Sequence, residues 1–259
     1  MILVKYVILG IIQGFCEVLP ISSSGHLKIF KSIFKSDVLN DMNFEIIVNF
    51  GSFIAIFIIY RNEIIKIIKD FFLYIHTKSD KYKPNFRYSL LIIISTIPAA
   101  IFGISIKDLI EKYFTVKVVG LMLILTAIFL YSIKDKKGYK SKSDISFIDA
   151  IKIGILQVFA LIPGISRSGI TIFGALNCDI ESSTSVDYSF MLYLPISIAS
   201  FILSISSIKL NMLYVISMLI SLITTYISAK LLMKIIKKSK LIYFSIYCLI
   251  IGLLTFLFN

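Results

Sequence analysis

Uncharged apolar stretches alternate with short polar segments along the whole chain. They occupy Ile46–Tyr60, Tyr88–Ile106, Val118–Ile133, Tyr188–Ile208, Leu210–Ala229 and Leu241–Phe258. A helix that crosses a bilayer needs about 20 apolar residues, with about 17 as the usual lower limit. Four stretches meet that length, and flanking residues extend Ile46–Tyr60 and Val118–Ile133. The pattern predicts six spanning helices.

Two further apolar stretches are interrupted. Tyr6–Leu27 carries Gln13, Glu17, Pro20, three serines and His26, and Ile153–Cys178 carries Gln157, Pro163, Gly164, Ser166, Arg167, Ser168 and Gly169. A polar, Pro/Gly-broken backbone cannot face lipid, because its freed N–H and C=O groups would lack partners. Both are therefore expected to be re-entrant, broken helices buried in protein. The fold class is an all-α polytopic membrane protein.

Composition agrees with the pattern. The chain has 259 residues, 58% hydrophobic and 16% charged, and its mean hydropathy is +0.91. A soluble domain is about 45–50% apolar and about 25% charged. Disorder is excluded by this hydropathy. Three cysteines are too few for a disulfide scaffold, and Cys16, Cys178 and Cys248 read as small buried hydrophobes. No cleavage site follows the apolar N-terminus, so it reads as mature protein.

The net charge is +12, from 27 Lys+Arg against 15 Asp+Glu. The basic residues lie in segments 61–87, 134–142 and 230–240, between apolar runs. Membrane topology accounts for that distribution, and a nucleic-acid partner is not expected. The three basic segments should be cytoplasmic, the connectors 107–117 and 209 outside, and the C-terminus outside. His76 lies in the first of these segments and reads as solvated.

The broken segments resemble each other. Gly10-Ile11-Ile12-Gln13-Gly14-Phe15 corresponds to Gly154-Ile155-Leu156-Gln157-Val158-Phe159, and Ser22-Ser23-Ser24-Gly25 to Ser166-Arg167-Ser168-Gly169 at the same offset. With the opposite orientation of spans 46–60 and 188–208, this predicts an inverted-topology repeat. Its halves would be 1–133 and 147–259, joined by a basic cytoplasmic loop, 134–146, within one membrane domain. In such folds the broken segments meet near the midplane and build the site.

Ionisable groups inside a membrane are functional candidates. Gln13 and Glu17 are four residues apart and share a helix face. Pro20 should stop that helix, and Ser22 to His26 should form the turn after it. Gly25 and Gly169 read as turn formers. In the second segment, a helix starting after the Gly-rich turn would offer its N-terminal N–H groups to an anion. Arg167 would add planar multi-donor contacts to phosphate oxygens. A serine or His26 could attack or shuttle a proton. Glu17, with Gln13, could hold a hard divalent cation, Mg²⁺ or Ca²⁺. Set against these are structural roles: a Glu17–Arg167 ion pair, serines that satisfy broken backbone, a structural Gln157, and aromatics that are mainly lipid-facing or interfacial.

Gln13-Gly14-Phe15-Cys16-Glu17-Val18-Leu19-Pro20-Ile21-Ser22-Ser23-Ser24-Gly25-His26 and Pro163-Gly164-Ile165-Ser166-Arg167-Ser168-Gly169-Ile170-Thr171 resemble the two motifs of the undecaprenyl-diphosphate phosphatase family of bacitracin-resistance type. The resemblance extends through Phe44–Tyr60, Ile97–Phe114 and Tyr188–Pro195. It implies a multi-pass enzyme of the bacterial plasma membrane with a similar six-span, two-re-entrant fold. Such an enzyme hydrolyses the terminal phosphate of a polyprenyl diphosphate lipid for cell-wall synthesis, uses a divalent metal, and opens its pocket to the outer face. By position, Glu17 is the metal-site carboxylate and Gln13 its weaker neighbour. Ser23 is the favoured nucleophile, His26 an acid/base or rival nucleophile, and Arg167 the diphosphate clamp. Ser22, Ser24, Gly25, Ser166, Ser168, Gly169 and Thr171 would contact substrate. Gln13 departs from the glutamate of many members, which removes one charge and one base. A homodimer is compatible with the resemblance. The competing function is a transporter or flippase of a lipid phosphate or another anion.

Overall fold

The computed structural model describes residues 2–34, 42–105, 115–206, 208, 211–236 and 240–258. Ten α-helices lie among them: α1 (Ile2–Val18), α2 (Ser23–Phe34), α3 (Met42–Thr77), α4 (Lys83–Ser105), α5 (Val116–Ser132), α6 (Phe147–Val158), α7 (Arg167–Asn177), α8 (Ser182–Ser204), α9 (Met212–Ile236) and α10 (Ile242–Phe258). Each of the six predicted stretches carries a helix. Four helices are long and apolar enough to cross a membrane, and Val116–Ser132 and Ile242–Phe258 are shorter apolar helices. Among the described residues the regular structure is helical, the architecture of a multi-pass membrane protein. The expected connectors 107–114 and 209, and Lys237 and Lys238 of the third basic segment, lie outside the described residues.

Apolar side chains face outward as well as into the core. Ile93, Ile97 and Ile101 on α4, Leu219, Ile223 and Ile227 on α9, and Ile246, Ile250 and Leu253 on α10 are exposed at helical spacing. Ser217, Ser221, Thr225 and Ser228 on α9 are fully buried. In lipid, apolar burial does not drive helices together, so close packing of small residues and interhelical hydrogen bonds do so. The α1–α9 contact has both devices. A Cβ on Gly14 would come within 2.5 Å of the Ser221 carbonyl oxygen, and Ser217 Oγ donates to the Tyr6 carbonyl at 2.9 Å. The α6–α4 contact repeats them: a Cβ on Gly154 would lie 2.7 Å from the Ser95 carbonyl oxygen, and Ser95 Oγ donates to the Ala150 carbonyl at 2.7 Å. α5 packs along α10, and α8 crosses α3.

The first basic segment, 61–87, is not the loop that its charges suggest. α3 continues to Thr77 and α4 begins at Lys83. Ile64, Ile67, Phe71 and Tyr74 recur at helical spacing and give this extension a packing face. Phe86 stacks on Phe71 at 5.2 Å between centroids and lies 4.5 Å from Tyr74. Asn85 donates to the buried Asp70 carboxylate at 2.6 Å. At about 1.5 Å rise per residue, a helix of 36 residues outreaches a hydrocarbon core of about 30 Å. His76 is exposed on this extension, as expected.

The second basic segment is ordered by polar bonds. Arg87 donates to the carbonyls of Ser143 and Ile145, and Lys140 pairs with Asp149 at 3.0 Å. Asp144 is held below the usual carboxylate range by hydrogen bonds from Ser141. The start of α8 is tied here, with Ser182 donating to the Lys137 carbonyl.

Candidate active site

Both broken segments form a helix, a break and a second helix. α1 ends at Val18, and Pro20 lies in the break that follows. α6 ends at Val158, a short 3-10 turn covers Phe159–Leu161, and Pro163 lies in the break before α7. Proline explains the stops, because it lacks an N–H and pushes the preceding residue out of helical conformation.

The second helices start earlier than expected. Ser23 to His26 form the first turn of α2, not a turn after α1. The left-handed residue of that break is Ser22, with φ 69°, and the second break has its own positive-φ residue at Gly164, with φ 102°. Gly25 and Gly169 are helical and not turn formers. Their role is to let chains approach: a Cβ on Gly25 would sit 3.0 Å from the Gly164 Cα. Their N–H groups donate to Ser22 Oγ at 3.3 Å and Ser166 Oγ at 3.1 Å. Each serine thus caps the helix behind it.

The breaks also brace each other. Ser22 Oγ accepts from the Gly164 N–H at 3.2 Å, and Ser168 Oγ donates to the Leu19 carbonyl at 3.1 Å. Thr126 of α5 donates to the Gly164 carbonyl and accepts from the Ser166 N–H. Backbone groups freed by the breaks therefore find partners inside the protein, as a membrane interior demands.

A cavity of about 190 Å³ lies at the junction. Glu17, Ser22, Ser23, Ser24, Ser166 and Arg167 line it, together with Cys16, Asn49, Ala99 and Gln157. The N-terminal residues of α2 and α7 both face this space, so two positive helix-dipole ends converge on it. Cys16, Cys178 and Cys248 are buried free thiols. Asn49 also lines a second hollow of about 180 Å³ with Glu45, Ile46, Ser197, Ser200 and Phe201.

Glu17 is the centre of the polar network and is 8% exposed. Its Oε1 accepts from Arg167 Nη2 at 2.6 Å. Its Oε2 accepts from Ser23 Oγ at 2.5 Å and from Gln13 Nε2 at 2.9 Å. The guanidinium of Arg167 lies 4.0 Å from the centroid of the Tyr193 ring, a cation–π contact. Tyr193 in turn donates to Asn49 Oδ1 at 2.9 Å. On the cavity wall, Arg167 Nη1, a donor, and Gln157 Oε1, an acceptor, are buried without a hydrogen-bond partner among the described residues. An orphan of this kind carries a penalty of about 1–3 kcal/mol that a ligand can relieve.

Of the expected site residues, Glu17, Ser22, Ser23, Ser24, Ser166 and Arg167 share the cavity wall. The others do not line it. Gln13 stands behind Glu17. Gly25 and Gly169 spend their N–H groups on capping, and Ser168 reaches to Leu19. Thr171 Oγ1 bonds the Arg167 carbonyl and Ser189 Oγ. His26 is 3% exposed and faces Tyr247, with Nε2 at 2.9 Å from its hydroxyl.

Asn49, Tyr193 and Tyr247 escaped the reading of the sequence, and Gln157 reads there as structural. Asn49 carries a signal, being an amide in an otherwise apolar run. Tyr193 does not: it reads as lipid-facing or interfacial, yet it is 2% exposed beneath Arg167.

Among the described residues no three His, Cys, Asp or Glu side chains come together as a metal cage. Glu17 is the one carboxylate on the cavity wall, and Arg167, Ser23 and Gln13 already engage it. One carboxylate alone would need phosphate oxygens to complete a hard-cation site, since Mg²⁺ is commonly held by one or two carboxylates plus a phosphate.

Comparison with known proteins supplies an independent line. The family model "Bacitracin resistance protein BacA" matches residues 6–254. The chain is 40% identical over 264 residues to undecaprenyl-diphosphatase 2 of Bacillus thuringiensis, covering 99% of this chain and 97% of that protein. It is 38% identical over 267 residues to undecaprenyl-diphosphatase 1 of Bacillus licheniformis, covering 100% and 98%. It is 34% identical over 266 residues to undecaprenyl-diphosphatase of Oceanobacillus iheyensis, covering 99% and 96%.

Proposed function

The chain belongs to the bacitracin resistance protein BacA family, and on that premise we infer its reaction and how its residues carry it. It is an undecaprenyl-diphosphatase: it hydrolyses undecaprenyl diphosphate to undecaprenyl phosphate and inorganic phosphate, which recycles the lipid carrier of cell-wall synthesis. The observation that carries the residue roles is the Ser23–Glu17–Arg167 contact at the floor of one cavity.

In our reading the diphosphate enters the cavity with its terminal phosphate beside Arg167, whose unpartnered Nη1 and the starts of α2 and α7 meet the negative charge. Ser23 Oγ attacks the terminal phosphorus and passes its proton to Glu17 Oε2, 2.5 Å away. The new Oγ–P bond forms as the bridging P–O bond breaks, and the electron pair leaves with undecaprenyl phosphate. Water then attacks the phosphoserine, the P–Oγ bond breaks as Glu17 returns its proton to Ser23 Oγ, and inorganic phosphate departs with the oxygen and protons of that water. Ser22, Ser24 and Ser166 offer hydroxyls at the wall. A bound Mg²⁺ or Ca²⁺, held by Glu17 with Gln13 behind it, would neutralise phosphate charge when present.

The finer architecture belongs to this reading. We take all six apolar helices as spans, α5 and α10 being 17-residue spans near the lower limit. The regions 1–133 and 147–259 are halves of an inverted repeat. The matching Gly–Ser contacts of α1 with α9 and of α6 with α4 support it, as do the matching caps at Ser22 and Ser166. The site faces the outer side of the plasma membrane. In support, α8 begins beside the basic segment at Lys137 and ends at the hollow that Ser197 and Ser200 line. A homodimer is compatible with the exposed apolar faces.

The test is phosphate release from undecaprenyl diphosphate by purified, detergent-solubilised protein, with Mg²⁺, with Ca²⁺ and with chelator. Metal-dependent release by the native chain, abolished in Glu17→Ala and Arg167→Ala, is expected. No release from folded native protein would overturn the assignment and make lipid transport in vesicles the reading to pursue.

A further inference from the structure

We propose that His26 is a positioning residue, not an acid, base or nucleophile, and that Tyr247 is its partner in holding the start of α2 so that Ser23 points at Glu17. This rests on the reading of Ser23 as the attacking group.

His26 lies one turn into α2, buried, and is not among the residues that line the cavity. Both ring nitrogens are already committed. Nδ1 is 2.8 Å from the Ser22 carbonyl oxygen, and Nε2 is 2.9 Å from the Tyr247 hydroxyl. A carbonyl only accepts, so Nδ1 carries the hydrogen whatever the charge on the ring. In the neutral ring, Nε2 then accepts from the tyrosine O–H. The two rings stack with centroids 5.6 Å apart and planes 10° apart, which fixes the imidazole against α10. Neither nitrogen has a lone pair directed at the phosphate site.

The residue being held explains why such a brace is useful. Ser22 has φ 69°, in the left-handed region that a non-glycine residue adopts only at a cost. Four hydrogen bonds keep it there. Its carbonyl accepts from His26 Nδ1 and from the His26 N–H at 3.2 Å, and its Oγ accepts from the Gly25 and Gly164 N–H groups. Ser22 is joined directly to Ser23. If its carbonyl lost the imidazole and its φ relaxed, the Ser22–Ser23 peptide would rotate and carry the Ser23 hydroxyl away from Glu17. A displacement of about 1 Å at a reacting group can cost about 100-fold in rate. Tyr247, on the last helix of the chain, thereby acts on the attacking group through the histidine.

Three substitutions separate positioning from chemistry. Asparagine offers an N–H close to the place of Nδ1, whereas glutamine and alanine do not. His26→Asn should keep kcat within about tenfold of native, and His26→Gln and His26→Ala should lose about 100-fold. Tyr247→Phe should lower kcat several-fold with KM unchanged and the pH profile of kcat/KM unmoved. Melting temperatures in detergent confirm that each variant is folded. If His26→Asn is folded but as inactive as His26→Ala, while native protein hydrolyses the lipid, the imidazole itself does chemistry and the proposal fails. The tautomer is readable without turnover. In a His76→Asn background one imidazole remains, and its ¹⁵N spectrum should show a protonated Nδ1. A neutral ring protonated at Nε2 instead would overturn the proposal even if no substrate were hydrolysed.

Discussion

Ser23 Oγ and Glu17 Oε2 are 2.5 Å apart across the first helix break, although the two residues are six positions apart in the chain with Pro20 between them. The contact exists because α1 ends one residue after Glu17 and α2 begins at Ser23, so the break folds the serine back over the carboxylate. A hydroxyl bonded to a carboxylate that is itself anchored by a guanidinium is an arrangement suited to deprotonation at the moment of attack.

Ser23→Ala should therefore lower kcat by about 10³-fold or more, within the range that loss of a nucleophile or its base produces. Single-turnover phosphate release reads it. Acid-quenched native protein should hold phosphate on serine, and the variant should not.

Arg167→Lys should fail as a conservative change. Lysine keeps the charge but loses the planar fork that bonds Glu17 through Nη2 and leaves Nη1 for substrate, and it loses the stack on Tyr193. A fall in kcat/KM of about 10–100-fold is expected, measured against lipids with diphosphate and monophosphate heads.

Gln13→Glu restores a second carboxylate where the chain has an amide donating to Glu17. Two adjacent carboxylates repel each other unless a cation sits between them. The Mg²⁺ concentration for half-maximal activity should fall, and residual activity in chelator should fall with it. Titration of phosphate release with buffered Mg²⁺ checks both.

Gln157→Leu removes a buried amide whose Oε1 has no partner and whose Nε2 makes one bond of 3.2 Å to the Ser95 carbonyl. Loss of the bond and loss of the orphan nearly offset each other, so the melting temperature should shift little. Lipid hydrolysis should still drop by about tenfold, since the amide lies on the cavity wall. A large loss of stability with normal kcat/KM in the surviving fraction would assign it to the scaffold instead.

Gly14→Ala should be strongly destabilising. The new Cβ would lie 1.9 Å from Thr224 Oγ1 and 2.5 Å from the Ser221 carbonyl oxygen. The hydroxyl can rotate, but the backbone oxygen cannot. A cost of about 1–3 kcal/mol is expected for such overpacking, read as a lower melting temperature in detergent.

Much of this was legible in the sequence, for reasons that can be named. Pro20 and Pro163 sit in apolar stretches beside serines, and no lipid-facing helix tolerates that combination, so both breaks could be located. Glu17 and Arg167 are costly at membrane depth, and the structure brings them together. What was missed came from direction and from distance along the chain. Ser23 and His26 are near neighbours in sequence, but in the first turn of a helix a fourth residue faces the carbonyl behind it and not the cavity. Tyr193 and Tyr247 act through contacts with segments far away in sequence, and an aromatic in an apolar run gives no sign of which face it occupies. The extension of α3 is masked in the sequence because Lys66 and Lys69 interrupt its apolar run, although Ile64, Ile67, Phe71 and Tyr74 keep helical spacing.

Where Gly25 and Gly164 meet, the two helix breaks touch main chain to main chain, and a carbon added to Gly25 would lie 3.0 Å from the Gly164 Cα. A joint of this kind has no rotamers. Lipid tails, detergent or thermal motion can reorder the side chains that line the cavity without changing the spacing of the two breaks that carry them. Drift in the rest of the protein can retune affinity and entry, but the register of one break against the other changes only if the joint itself parts.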